Sequence, residues 1–264
     1  MTEDRMDLYK HTAFIYDYDN RPIARDDIPF YRTLIPSGSK VLELAAGTGR
    51  IAIELVKNGC SMTCIDLSDE MLEVFRNKVH GLPAETASRI SIIKGDMRNF
   101  DFPEAFDWII IPFRSFQWLA EPSEREACLE CIKKHMQPSS RAVITFFNPI
   151  EDLLNAWGVF KNIEVYLSDL PDGTILRRFE SQGRHDKEKQ VIECNNVYRI
   201  FKGDALKAEY RHDFEIVYLF PGQIKAMLDK AGFEIEAMYG YYDFRPFKLE
   251  EKLEQIFILK TGGA

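Results

Sequence analysis

Val41-Leu-Glu-Leu-Ala-Ala-Gly-Thr-Gly-Arg50 is the stretch that decides the fold. An apolar strand run, Lys40–Leu44, leads through Gly47-Thr48-Gly49 directly into Arg50–Lys57, whose apolar residues recur at helical spacing. Glycines at such a junction let the backbone bend sharply and come close to a ligand. The helix start beyond them offers free N–H groups. Gly47 to Ala52 fits G-x-G-x-x-A, and Asp66 closes the next strand run, Ser61–Asp66, where a carboxylate can meet the two hydroxyls of a ribose. These features specify a nucleotide-like ligand. By themselves they also allow a nicotinamide-dependent oxidoreductase.

Outward from this junction, strand and helix patterns alternate. Ser68-Asp69-Glu70 opens a helix through Val79, with Ser68 as its cap and the acids at its positive start. Ile90–Lys94 and Asp107–Ile111 read as the third and fourth strands, Pro122–Met136 as a helix and Arg141–Phe147 as the fifth strand. Such alternation predicts a doubly wound, mostly parallel α/β sheet. After residue 150 the period drops to two over Thr174–Glu180, Gln190–Phe201 and Ala208–Leu219, which predicts an antiparallel meander of three strands. A helix from Pro221-Gly222 to Gly232 and the strands Phe233–Tyr239 and Gln255–Lys260 then complete a seven-stranded sheet. The expectation is a single domain over 1–264: an N-terminal helical cap (1–35), a ligand-binding core (36–149), an inserted meander (150–220) and a closing segment (221–264).

Bulk properties narrow the function. The chain has 264 residues, 45% hydrophobic and 29% charged, with a formal net charge of −8. That composition supports a packed core and argues against a nucleic-acid partner, which a basic face would hold. The densest basic stretch, Arg177-Arg178 to Lys189, is interleaved with acids and reads as a solvated strand face and turn. No apolar run approaches the ~18 residues of a membrane span, and the acidic start Met1–Asp7 is unlike a secretory signal, so a cytoplasmic protein is expected. Five cysteines, Cys128-x-x-Cys131 among them, lack a second pair at ligand spacing. They are read as buried thiols, and no metal is expected. His11, His135 and His212 read as structural, with His135 a cation at a helix end.

Further residues at strand ends separate the two nucleotide readings. Glu43, just before the glycine loop, would repel a pyrophosphate but suits a sulfonium or ammonium. Gly95-Asp96-Met97-Arg98 follows the third strand, and Pro112-Phe113 closes the fourth. Together with VLELAAGTGR (41–50), the stretches CIDLSDEML (64–72), IIKGDMRNFDF (92–102), FDWIIIPFRSFQWL (106–119) and MQPSSRAVITFFNP (136–149) resemble the class I S-adenosylmethionine-dependent methyltransferases over most of residues 36–149. Ala45-Ala46 departs from the Gly-Cys more common there. IYDY (15–18) and the meander resemble the branch that methylates nitrogen on amino sugars and peptide antibiotics.

The resemblance implies a Rossmann-like methyltransferase fold and S-adenosylmethionine as cofactor. It implies that Gly47 and Gly49 line the methionine portion and that Glu43 orders the loop or the ammonium. Asp66 would hold the ribose, Leu67 and Met71 the adenine face, Asp96 and Met97 the adenine edge, and Phe113 the methionine tail. Tyr16 and Arg50 would close over the cofactor. For the acceptor, Tyr31, Arg114, Gln117, Tyr166, Tyr198 and Tyr218 are candidates, on a lid formed by the meander and the N-terminal helices. The expected reaction is in-line displacement onto a small-molecule or peptide acceptor, with nitrogen as the expected atom, by a monomer or homodimer. Alignment and water exclusion carry such a reaction, so no catalytic residue is assigned. A cofactor-binding module without turnover is the other alternative.

Overall fold

The computed structural model describes residues 9–251 and 254–262. The acidic start Met1–Asp7 and the last residues of the chain, Gly263 and Ala264, lie outside the described residues. A seven-stranded sheet holds β1 (Lys40–Leu44), β2 (Ser61–Asp66), β3 (Ile90–Lys94), β4 (Phe106–Ile111), β5 (Met136–Phe147), β10 (Phe233–Tyr239) and β11 (Glu254–Thr261), in the order β10-β11-β5-β4-β1-β2-β3. β1 runs parallel to β2 and β4, and β2–β3 and β4–β5 are also parallel; only β11 is antiparallel to its neighbours. This is the doubly wound, mostly parallel sheet expected from the sequence. Strand order reverses between β1 and β4, the place where open α/β sheets leave a crevice at their carboxyl ends.

Both faces of the sheet are covered, and strand alternation decides which side each residue serves. Leu42, Leu44, Ile109 and Ile111 pack toward α5 (Pro122–Lys134) and α7 (Pro221–Lys230), with Leu129, Ile132, Ile224 and Leu228 against them. Val41, Ile110 and Val143 face α1 (Ile23–Leu34), α2 (Arg50–Lys57) and α3 (Asp69–His80) through Phe30, Leu55, Val56 and Phe75. The Ser68 hydroxyl caps α3 by accepting from Met71 N at 3.2 Å. Gly232, at φ +81°, follows α7 in the left-handed conformation that ends helices. Two one-turn helices, α4 (Ala84–Ala87) and α6 (Glu151–Asn155), fill connections.

The insertion is a second sheet, and here the sequence reading needs correction. It has four antiparallel strands, β6 (Ile163–Asp169), β7 (Ile175–Asp186), β8 (Val191–Lys202) and β9 (Ala205–Val217), not three. β6 is an edge strand whose Ile163 and Leu167 stay exposed, so its apolar residues do not mark a buried face. Of the stretch Arg177–Lys189, read as a solvated strand face and turn, residues up to Asp186 belong to β7, which backbone pairing with β8 extends beyond its apolar part. β5 starts at Met136, five residues before the expected Arg141; Met136 packs on the core, while Gln137, Pro138 and Ser139 are exposed and carry no apolar signal of a buried strand. Gln117 joins the two sheets: its Nε2 donates to Val217 O at 2.8 Å and its Oε1 accepts from Phe147 N at 2.9 Å. Among the described residues, no helix is long and apolar enough to cross a membrane, and no three His, Cys, Asp or Glu side chains gather as a metal site.

Candidate active site

The glycine loop sits at the carboxyl end of β1 with three residues in left-handed conformations, Ala45 (φ +57°), Gly47 (φ +56°) and Gly49 (φ +72°). Gly49 has a second reason to lack a side chain, because a Cβ there would lie 2.1 Å from the Phe75 ring. Asp66, at the tip of β2, organises the loop: its Oδ2 accepts from Gly47 N at 2.7 Å and its Oδ1 from Ser68 N at 2.9 Å. Burial pushes the Asp66 carboxyl up, and these backbone N–H groups oppose the shift. Its remaining lone pairs are free for donors on a ligand. Asp96 lies at the end of β3, its carboxylate held in a fork by Arg98, which overcomes burial and keeps it below the usual range.

Behind the loop lie the residues that stiffen it. Arg50 opens α2 and forms a paired hydrogen bond to the fully buried Asp27, at 2.7 and 2.5 Å. Its guanidinium also stands 5.5 Å from the centre of the Phe113 ring. Glu43 is buried on the same side of β1; desolvation outweighs the nearby Arg50 and pushes its carboxyl up to about 8. Phe113 and Arg114, both at positive φ, turn the chain away from the tip of β4, and Arg114 N is held by the Thr145 hydroxyl at 3.0 Å. Two successive non-glycine residues in this region store strain beside a cleft.

Two adjoining cavities open at these strand ends. The smaller, about 150 Å³, is lined by Gly47, Asp66, Leu67, Met71, Asp96 and Met97. The larger, about 620 Å³, lies between the two sheets and is walled by aromatic side chains including Phe113, Phe147, Tyr166, Tyr198 and Phe214. That volume is typical of small-molecule sites. Tyr9, Tyr16, Ser115 and Trp118 line both cavities and mark their junction. Burial raises the phenols of Tyr9 and Tyr16, which stay protonated donors.

The segment from Tyr9 to Asn20, including a 3₁₀ turn at Ala13–Tyr18, crosses the junction as a strap. At one side Asp17 accepts from the Thr48 hydroxyl at 2.5 Å and from Lys78 Nζ at 2.6 Å. At the other, Thr12 Oγ1 meets His212 Nε2 at 2.6 Å, the Ser168 hydroxyl donates to Tyr18 O and Asn20 Nδ2 donates to Leu167 O. His212 lies in the wall of the larger cavity, where burial and Arg178 push its imidazole down to about 4. It is neutral near pH 7.

The sequence-derived candidates divide cleanly. Tyr16, Gly47, Asp66, Leu67, Met71, Asp96 and Met97 line the smaller cavity, while Phe113, Arg114, Tyr166 and Tyr198 line the larger. Gly49 belongs to the loop but lines neither cavity, and Glu43 and Arg50 stand behind it. Tyr31 is fully buried in the core against Phe30, Gln117 is spent on joining the sheets, and the Tyr218 hydroxyl is bonded to His185 Nε2 at 2.8 Å; these three line neither cavity. The reading of Arg177–Lys189 as solvated is corrected at Arg178, which lies in the larger cavity and bonds Glu180 at 2.5 Å and Asp19 at 3.4 Å. His135 does stand at the end of α5, and its ring is held inside the fold: Phe102 N donates to its Nε2 at 2.8 Å and its Nδ1 lies 2.7 Å from Cys131 O. Sequence reasoning did not single out Tyr9, Thr12, Trp118, Asn148 or Arg178.

Comparison with known proteins agrees with this geometry. Residues 41–139 match the family described as a methyltransferase domain. The chain is 30% identical over 256 residues to YqeM of Bacillus subtilis (strain 168), a methyltransferase by name, spanning 93% of this chain and 95% of that protein. It is 22% identical over 223 residues to the cypemycin N-terminal methyltransferase of a Streptomyces species, 84% of this chain and 83% of that one. In fold it is similar to the CcbJ methyltransferase of Streptomyces caelestis, with a TM-score of 0.75, 18% identity and coverage of 98% of this chain and 100% of the other. These likenesses displace the oxidoreductase reading that the glycine loop alone allowed. With a glycine loop and two acidic strand tips gathered at the switch point of the sheet, the chain belongs to the S-adenosylmethionine-dependent methyltransferases.

Proposed function

We propose that this chain transfers a methyl group from S-adenosylmethionine to a nitrogen of a small-molecule or peptide acceptor. The observation that carries the reading is the pair of cavities meeting at Tyr9, Tyr16, Ser115 and Trp118. The smaller fits the adenosyl end of the cofactor. Asp66 has acceptor capacity for ribose hydroxyls, Leu67, Met71 and Met97 offer apolar surface to a base, and acids at two strand tips suit a cationic ligand. Asp96 would take the adenine amino group. The larger cavity would hold the acceptor, with the inserted sheet as its outer wall.

Bound in this way, the cofactor supplies a methyl made electrophilic by a positively charged sulfur. The protein's part is to align and to keep water out. Trp118 stacks on Phe214 at 5.0 Å and closes one side of the junction; the strap closes another. An amine must attack in its neutral form. His212, held near 4, is too weak a base to take its proton, so the proton leaves to solvent. Nitrogen as the target is supported by the name of the cypemycin relative and by a cavity with aromatic walls and paired charges.

Calorimetry with S-adenosylmethionine tests the cofactor site. Wild type is expected to bind, and the double variant Asp66→Ala/Asp96→Ala to bind at least tenfold more weakly. Equal binding by both refutes the site. A screen of amines that detects S-adenosylhomocysteine tests the reaction. Tight cofactor binding with no product from any acceptor would instead mark a non-catalytic module.

A further inference from the structure

Apolar side chains stand in water at the rim of the larger cavity. Between α6 and β6 the chain reads Trp157-Gly-Val-Phe-Lys-Asn-Ile163. Trp157, Phe160 and Ile163 line the cavity, yet Phe160 is 51% exposed and Ile163 49%. Val159 beside them is 70% exposed. The segment is fastened to β7. Gln182 N donates to Phe160 O at 2.9 Å, Gln182 Oε1 accepts from Gly158 N at 3.1 Å, and the Ser181 hydroxyl accepts from Asn162 N at 2.8 Å. Asn162 takes a φ of +52° to hold this course. A fixed backbone thus presents apolar side chains to water beside a cavity, and contiguous surface of that kind marks a binding site.

The charges of the same cavity are already matched. Among the described residues its lining arginines are Arg21, Arg114 and Arg178. Arg21 forks onto Asp19 and reaches Glu180 at 3.0 Å. Arg178 bonds Glu180 at 2.5 Å and Asp19 at 3.4 Å, and Arg114 is held by Glu254. A phosphate is recognised by guanidinium forks that no carboxylate has filled. Here it would have to displace Asp19 or Glu180, which line the cavity too.

We infer that the acceptor is an amphipathic amine: its nitrogen lies at the junction of the two cavities, and an apolar arm without phosphate runs out over Phe160 and Ile163. The inference rests on the proposed function and narrows its acceptor. The aromatic walls of the cavity take the rest of the arm. Phe160 and Ile163 line only the larger cavity, so they sort acceptors by the length of the arm and leave the cofactor untouched.

Ligand-observed NMR titration of the S-adenosylhomocysteine-loaded protein with butylamine, hexylamine, octylamine and decylamine, each below its micelle concentration, tests this. Complete burial of a methylene strengthens binding about fourfold, so a half-exposed rim should give wild type about twofold per methylene. Phe160→Ser/Ile163→Ser should bind butylamine as wild type does and lose most of the gain among the longer members. Phe160→Leu/Ile163→Leu, which keeps the apolar surface, should retain it. 6-Aminohexyl phosphate, similar in length to octylamine, should bind wild type at least about tenfold more weakly than octylamine does. Each variant's binding of S-adenosylhomocysteine is measured first, so that a folding defect is recognised. Wild-type affinity that does not rise with chain length, equal gains in wild type and the serine variant, or a phosphate probe bound as tightly as octylamine overturns the inference. A serine variant that keeps its gain but changes the protein's mass in sedimentation assigns the rim to a second copy of this chain, and also overturns it. Failure of wild type to take S-adenosylhomocysteine refutes the parent reading instead.

Discussion

Replacing Glu43 by Gln should make the fold more stable at neutral pH than at acidic pH, relative to wild type. The carboxyl is buried in β1 and holds its proton up to about pH 8, against an ordinary value of 4.5. Between these limits the unfolded chain has lost the proton and the native chain has kept it. The native state therefore binds one proton more, and stability falls as pH rises through the window. The slope is about 1.4 kcal/mol per pH unit. From pH 5 to pH 7 the wild-type protein should lose about 3 kcal/mol from this group alone, and Glu43→Gln should lose none of it. Any constant effect of exchanging a carboxyl for an amide cancels in the comparison, as do all other titrating groups. Urea unfolding of both proteins at pH 5, 6 and 7 measures the difference. A gap between the two that stays constant over these three values would refute the reasoning. It would mean that Arg50 keeps the carboxylate ionised in the folded chain.

Asp66→Ala should weaken S-adenosylhomocysteine binding about a hundredfold, the loss of two hydrogen bonds to a charged acceptor; an unchanged calorimetric Kd would count against its role. Gly49→Ala places a methyl group 2.1 Å from Phe75 at φ +72°, and should cost about 3 kcal/mol or more in thermal or urea unfolding. A loss under about 1 kcal/mol would show that the loop yields easily. The His212 imidazole resonances should not titrate between pH 5.5 and 8, because its neutral form is favoured in the fold; the stability this gives is present above pH 6.5 and is lost as pH falls toward 4. A midpoint near 6.5 by NMR would place the ring in water.

What the sequence made legible was local. The β1–glycine loop–α2 unit, the acidic tip of β2 and the cap at Ser68 each declare themselves within a few residues, because strand period, turn chemistry and capping act over that range. Most residues lining the smaller cavity were legible for the same reason. The larger cavity depends on distant segments. Thr12 and His212 meet across 200 positions, and neither has a pattern around it that announces the other. Arg178 shares one side of β7 with the fully buried Leu176, so the two-residue period pointed inward; its charge argued for water and carried the wrong reading. Tyr31 and Tyr218 were chosen for being aromatic. An aromatic ring serves a core as readily as a ligand, and only packing tells them apart.

The strap from Tyr9 to Asn20 gives the beginning of this chain an influence out of proportion to its length. It is fastened to the glycine loop through Asp17 and to the inserted sheet through Thr12 and Tyr18, and it forms part of the wall of both cavities. A purification tag, a fusion or a trimmed start placed against Tyr9 therefore touches the walls of both cavities at once. Enzyme prepared in differently tagged forms should be compared before differences in turnover are attributed to the acceptor.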